Sequence, residues 1–182
     1  MGNRPARVSG DPPNFLERLL AFLSAPGFCV LYVFLIWFFL WGFKHKLIAF
    51  WSLITFFSGE IIFILIRLMT YRSLPTGHPK NLSMSSFPNH HLFSLGIIFY
   101  IVYIAVIPLI RSIWQKYLLI FCMLAIAAIL LVAEIKLKIA YPLDLFASVS
   151  LVYLWMQIAQ LIYTKWFGNL WDIQIFKNSD YN

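Results

Sequence analysis

Five long apolar segments, separated by short polar stretches, make up most of this chain. The segments are Phe28–Phe43, Leu47–Ile66, Leu92–Ile110, Tyr117–Val132 and Leu145–Tyr163. Each is 16 to 20 residues long, close to the roughly 20 residues that a helix needs to cross the hydrocarbon core of a bilayer. The pattern therefore predicts an all-α integral membrane bundle of about five spans.

The two ends of the chain are more polar than its centre. Residues 1–12 contain Pro, Gly and Arg with few apolar residues, and we predict that they form a disordered tail. Residues 13–25 place apolar side chains at helical spacing with charged ones opposite, which predicts a short amphipathic helix in the membrane interface. We expect the transmembrane domain to cover residues 26–164 and residues 165–182 to form an interfacial, flexible tail.

Composition supports insertion into a membrane. Hydrophobic residues make up 62% of the 182 positions and charged residues 12%, and a soluble domain of this length could not bury so much apolar surface. The net charge of +7 suits contact with anionic headgroups. No run of basic residues forms a stripe, so nucleic acid is not an expected partner, and no motif indicates a cofactor. We therefore predict a multi-pass integral membrane protein.

One acidic residue, Glu60, interrupts the second apolar segment. A charged side chain inside a span costs on the order of 2–3 kcal/mol on insertion scales, so it usually faces the protein interior and a polar partner. Ser58 and Gly59 precede it, and small residues let helices approach closely. We expect Glu60 to contact a polar group of this chain or of a partner membrane protein.

Polar residues are concentrated in two connections, 67–91 and 133–144, which two spans separate and which therefore reach the same face of the bundle. The candidate residues of the longer connection are Arg67, Arg72, Lys80, Asn89, His90 and His91. Arg and Lys neutralise phosphate oxygens, and His transfers protons near neutral pH. These residue types together predict a binding site for a phosphorylated lipid headgroup at this end of the bundle. Two adjacent histidines without a spaced carboxylate do not predict a metal site.

Three segments in these connections resemble the motifs of the type 2 phosphatidic acid phosphatase (PAP2) superfamily. Ser86-Phe87-Pro88-Asn89-His90-His91 resembles its S-F-P-S-G-H motif, and Tyr141-Pro142-Leu143-Asp144 resembles the end of S-R-x5-H-Y-P-x-D. The K-x6-R-P motif falls on the stretch from Arg67 to Pro75. The resemblance covers residues 47–160 and implies a helical membrane bundle that acts on lipid phosphates.

The resemblance also implies roles for individual residues. His91 corresponds to the general acid, and Asp144 corresponds to the carboxylate that orients the attacking histidine. Our candidate phosphate-binding residues are Arg67, Arg72, Lys80, Asn89 and His90, of which Arg72 and Lys80 follow from the charge of the connection and match no motif position. Each position has a structural reading as well: a helix-start histidine at His91, a helix N-cap at Asp144, and headgroup contacts for the basic residues.

The chain departs from the family pattern at its most important position. The attacking histidine corresponds to Ala140, the arginine of the same motif to Glu134, and its serine to Ala133. In the second motif, serine and glycine are replaced by Asn89 and His90. In the family's mechanism this carboxylate orients the attacking histidine, so Asp144 would have no histidine to orient here.

Three functions remain open at this point. The first is an impaired relative that binds a phospholipid or isoprenoid-phosphate headgroup, or that serves as the subunit of a partner membrane protein. The second is a working phosphatase or phosphotransferase for lipid phosphates or pyrophosphates, with a rearranged site in which His91 is the acid and Arg67 and Lys80 hold phosphate. The third is a small membrane scaffold with an accidental motif match.

Overall fold

The computed structural model describes residues 22–70, 87–136 and 141–171, together with Phe15 and Leu19, and their side chains as far as Lys165. Five α-helices form in these ranges: α1 Pro26–Gly42, α2 Lys46–Met69, α3 His90–Ile101, α4 Ile113–Lys136 and α5 Pro142–Trp171. The part of the chain that the structure describes contains helices and short links without a strand. Residues 1–12, Arg72, Lys80 and Ala140 lie outside it.

Four of the helical segments are long and apolar enough to cross a membrane. They are Lys46–Met69, His90–Leu109, Ile113–Lys136 and Pro142–Lys165. The first expected span corresponds to α1, which is equally apolar but has only 17 residues. A helix of that length rises about 26 Å, somewhat less than the roughly 30 Å of a hydrocarbon core. The all-helical fold is thus confirmed, and the described residues contain four candidate membrane spans and one shorter apolar helix where we expected about five spans.

Both ends of the described chain extend beyond the expected spans. Phe15, Leu19 and Phe22 are helical with exposed side chains. The charged face of the expected amphipathic helix lies outside the described residues, so its interfacial position stays a prediction. At the other end, α5 continues from Tyr163 through Trp171 without interruption. Part of the stretch that we expected to be an interfacial tail therefore continues the last helix, because no Pro or pair of glycines stops it there.

The core lies where α1, α2, α3 and α5 meet. Gly59 has no room for a side chain, because an added Cβ would stand 2.6 Å from Ile97 Cδ1 and 2.8 Å from Trp155 Nε1. Trp155 Nε1 also donates a hydrogen bond to the Thr55 carbonyl at 3.1 Å. The expected close approach of helices at Gly59 is therefore present, and it holds the adjacent Glu60 against α3.

The start and the end of the third span are both set by single residues. Asn89 caps α3, because its side chain accepts a hydrogen bond from the Leu92 amide at 2.9 Å. After Ile101 the chain forms a π-helical turn over Val102–Val106 and a 3-10 turn over Ile107–Leu109. Pro108 explains this ending, since proline has no N–H to donate to the preceding turn.

Helix α4 is the least enclosed of the spans. It packs mainly on α3, and its buried residues are Leu130, Ala133 and Glu134, all near its C-terminal end. The opposite end is open, since Trp114 is 83% exposed. Most of the α4 surface is therefore exposed, whereas one face of its C-terminal end, with Leu130, Ala133 and Glu134, is buried against the bundle.

Candidate functional site

The polar residues singled out in the two connections meet at one end of the bundle. The C-terminal ends of α2 and α4 lie there beside the N-terminal ends of α3 and α5, as the alternation of spans predicted. Side-chain hydrogen bonds join α3 to each of the other three helices: His90 to Glu60, and Asn89 to Glu134 and to Ser148.

Asn89 is the centre of one hydrogen-bonded cluster at this end. Its side chain is buried, and its Nδ2 donates to Glu134 Oε2 at 3.0 Å. Its backbone N–H donates to Ser148 Oγ at 2.8 Å, and Ser148 Oγ donates to the Asp144 carbonyl at 2.7 Å. Since Oδ1 already caps α3, both polar atoms of the amide are used to hold helices together.

Two carboxylates are buried beside this cluster. Glu134 is 0% exposed and Asp144 is 1% exposed. Glu134 Oε2 accepts the Asn89 bond, whereas Oε1 has no hydrogen-bond donor among the residues that the structure describes. A buried acceptor without a donor costs free energy comparable to a lost hydrogen bond, about 1–3 kcal/mol. The Asn89 side of the site is therefore acidic, and among the described residues one oxygen of Glu134 lacks a donor.

A second cluster surrounds Glu60. His90 Nε2 lies 2.7 Å from Glu60 Oε2, and Ser94 Oγ donates to Glu60 Oε1 at 2.6 Å. Glu60 thus has two partners on α3 of its own chain, which compensates for placing a carboxylate inside a span. The side chains of His90 and Glu60 retain 27% and 17% exposure, so the pair lies at the edge of the packed interior.

An aromatic stack joins this second cluster to a cation. The His90 ring lies parallel to the Phe63 ring, with 4.3 Å between centroids and 14° between planes. The Arg67 guanidinium carbon lies 5.6 Å from the Phe63 centroid, within the range of a cation–π contact. Arg67 and His90 therefore flank the same aromatic side chain at the end of α2.

The adjacent histidines contact different parts of the bundle. His90 faces α2, whereas His91 Nδ1 lies 3.2 Å from the hydroxyl oxygen of Ser24, just before α1. The structure thus gathers Glu60, Arg67, Asn89, His90, His91 and Asp144 at one end, in separate sets of contacts. Arg72 and Lys80 are outside the described residues, so their placement stays a prediction.

Sequence reasoning missed the small hydroxyl residues that complete both clusters. Ser94 is four residues after His90, and Ser148 is four residues after Asp144, so each lies one turn along the helix on the same face. A serine one turn from a polar helix start was an available signal. Within the described ranges, no group of three or more His, Cys, Asp or Glu residues is arranged to hold a metal ion.

No protein-family model matches the chain, and neither a curated protein nor a solved structure matches it. The functional assignment therefore depends on the residues of the chain itself and on the geometry of the two clusters.

Proposed function

We propose that this chain is a PAP2-like membrane protein that binds a phosphorylated lipid headgroup, from a phospholipid or an isoprenoid phosphate, without hydrolysing it. The observation that supports this most directly is the hydrogen bond between Asn89 and Glu134. It joins the second and third motif-like segments through an amide and a carboxylate, at positions where the family has a serine and an arginine.

Charge decides where the phosphate can lie. At 4 Å, two like unit charges repel by about 4 kcal/mol in the effective dielectric near a protein surface. Buried Glu134 therefore disfavours phosphate on the Asn89 side of the site. Arg67 is on the other side, beside His90 and the Phe63 ring. The Glu60 carboxylate is also on that side, but both of its oxygens have hydrogen-bond partners, in His90 and Ser94. We place the headgroup there, beside Arg67, and contacts from Arg72 and Lys80 of the same connection stay a prediction.

The absence of hydrolysis follows from the replaced nucleophile. The methyl group of Ala140 cannot attack phosphorus, and the sequence has no histidine at the position where the family pattern supplies the nucleophile. Binding without turnover uses the cationic residues and the polar end of the bundle but needs no attacking group. A role as the subunit of a larger membrane assembly is compatible with such binding.

One observation favours a working enzyme as the second candidate. If His90 Nε2–H donates to Glu60, the neutral ring carries its lone pair on Nδ1, and a carboxylate that fixes an imidazole in this way is a common feature of catalytic sites. His90 Nδ1 would then attack phosphorus, the lipid oxygen would leave with a proton from His91, and water would cleave the P–N bond to release phosphate and regenerate the ring.

The test is lipid binding and phosphate release by the purified chain in lipid nanodiscs. Phosphatidate, an isoprenyl phosphate and an isoprenyl pyrophosphate are compared with their neutral alcohols. We expect the phosphorylated lipids to bind and no phosphate to be released. Arg67→Gln should weaken binding about 10-fold, since a hydrogen bond to a charged group contributes about 1.5–3 kcal/mol.

The matched control for Arg67 is Arg111→Gln, which should leave binding unchanged. Arg111 is exposed and lies just before α4, at the other end of the bundle. If the protein releases phosphate and both His90→Ala and His91→Ala abolish that release, the chain is an enzyme with a rearranged site and the proposal of binding without hydrolysis is wrong. Equal binding of phosphorylated and neutral lipids by the folded protein would exclude both phosphate functions and leave the membrane scaffold.

A further inference from the structure

The irregular end of the third span leaves a space beside α4. Pro108 cannot donate a backbone hydrogen bond, and the chain there forms the π-helical turn Val102–Val106 and the 3-10 turn Ile107–Leu109. A cleft of about 490 Å³ lies between these two turns and the first turns of α4. This volume is in the range of ligand sites, roughly 300–1,000 Å³, and π-helical turns occur frequently at functional sites.

The α4 wall of this cleft carries a cation between apolar residues. Its lining residues are Ile113, Lys116, Tyr117 and Ile120, and their spacing of three and four places them on one face of the helix. Tyr103, on the π-helical turn, lines the opposite wall. The cleft therefore brings together one ammonium side chain and two phenol side chains within a wall that is otherwise apolar.

Lys116 lies where a bilayer changes from hydrocarbon to headgroups. It is in the first turn of the candidate span Ile113–Lys136. Trp114 and Tyr117 are beside it with exposed side chains, as is typical of the aromatic residues at a membrane interface. Lys116 itself is half-buried. A molecule that fills the cleft at this depth therefore contacts the Lys116 side chain.

The Lys116 end of the bundle contains no carboxylate among the described residues. All three acidic residues in the described ranges belong to the clusters at the other end: Glu60, Glu134 and Asp144. The described lysine and arginine residues at the Lys116 end are Lys44, Lys46, Arg111, Lys116 and Lys165. Charges that are withdrawn from water are normally paired, so the anion that pairs with Lys116 has to come from a ligand.

We infer that this cleft binds the headgroup of an anionic phospholipid such as phosphatidylglycerol. A phosphate oxygen accepts a hydrogen bond from Lys116 Nζ, and the hydroxyl groups of Tyr103 and Tyr117 are the further donors of the cleft. The acyl chains lie along the exposed apolar surface of α4, which includes Phe121 and Leu124. The phosphate thus stays at headgroup depth while the chains enter the hydrocarbon core.

Charge selects an anionic lipid over a zwitterionic one. Phosphatidylcholine carries the same phosphate, but it brings a trimethylammonium group to an end of the bundle whose described charges are all positive. Like charges near a protein surface repel about four times more strongly than in water. This site is independent of the proposed phosphate function, which uses Arg67 at the other end.

The experiment uses the full chain in micelles of a non-ionic detergent and phosphatidylglycerol that carries a photoreactive diazirine. Competitors are phosphatidylglycerol, phosphatidylcholine and soluble glycerol phosphate. We expect labelling between Tyr103 and Ile120. Phosphatidylglycerol should compete about 10-fold better than phosphatidylcholine, and glycerol phosphate should compete least, because it lacks the chains that pack on α4.

Lys116 and Arg111 provide a matched pair of cations. Lys116 lines the cleft, whereas Arg111 is exposed and is not part of its wall. Lys116→Gln should weaken binding about 10-fold, because a hydrogen bond to a charged group is lost, and Lys116→Arg should retain most of it. Arg111→Gln should change binding by less than about 2-fold, since an exposed ion pair contributes little. Arg67→Gln should leave this labelling unchanged.

Ile120 and Leu118 provide a matched pair for the space itself. Ile120 lines the cleft, whereas Leu118 is exposed on another face of α4. Ile120→Trp should reduce labelling about 10-fold by filling the cleft, and Leu118→Trp should not change it.

Four results would each overturn the inference. They are equal competition by phosphatidylglycerol and phosphatidylcholine, competition by glycerol phosphate as strong as that by the lipid, equal losses in Lys116→Gln and Arg111→Gln, and equal labelling of the two tryptophan variants.

Discussion

Replacing Asn89 by alanine removes two contacts at once from the end of the bundle. The side chain caps α3 through the Leu92 amide at 2.9 Å, and it donates to buried Glu134 at 3.0 Å. The backbone N–H of residue 89 keeps its bond to Ser148, because the substitution leaves the main chain unchanged. The expected loss of unfolding free energy therefore comes only from the N-cap hydrogen bond to Leu92 and from the hydrogen bond to the Glu134 carboxylate.

The two contributions can be estimated separately. Loss of an N-cap costs about 1 kcal/mol. Loss of a hydrogen bond to a charged group costs about 1.5–3 kcal/mol, and the oxygen left behind on Glu134 is buried. Asn89→Ala should thus lower the free energy of unfolding by about 2.5–4 kcal/mol. Asn89→Ser retains a capping hydroxyl but is too short to reach Glu134, so it should lose about 1 kcal/mol less.

The assay is reversible unfolding in mixed micelles by a denaturing detergent, followed by tryptophan fluorescence. Gln115→Ala, an exposed amide at the far end of α4, is the control and should change the free energy by less than about 0.5 kcal/mol. An Asn89→Ala variant as stable as this control would refute the view that Asn89 holds α3 to α4. Equal losses for the alanine and serine variants would assign the whole effect to Glu134.

Three further predictions concern the helix contacts. Gly59→Ala should destabilise the bundle by about 1–3 kcal/mol in the same unfolding assay, because two side chains occupy the space of its Cβ. Gly42→Ala is the control and should be neutral, because nothing lies within 4 Å of its added Cβ. Ser94→Ala should cost about 1 kcal/mol through the lost bond to Glu60. In a double-mutant cycle, Glu60→Ala and His90→Ala should show a coupling energy of at least about 0.5 kcal/mol. If the losses of unfolding free energy simply add, the two side chains do not stabilise each other and this prediction is wrong.

The location of the polar site was predictable from the order of the spans. Two spans separate the connections 67–91 and 133–144, and two spans return the chain to the same face whatever their packing. The interior position of Glu60 was also predictable, because the cost of a lipid-facing carboxylate applies to any membrane bundle. The sequence could not name its partners, since His90 is 30 residues and Ser94 is 34 residues away.

The sequence by itself predicted the helices and a membrane as the environment of the apolar ones. Long apolar runs can satisfy their backbone groups in a bilayer only as helices, and Pro108 ends the third span because a missing N–H is a local property. The tertiary structure alone decided which polar groups pair, that Asn89 connects three helices, and that a cleft remains beside α4. Hydrogen bonds and cavities depend on positions to within about an ångström, and helix packing sets those positions.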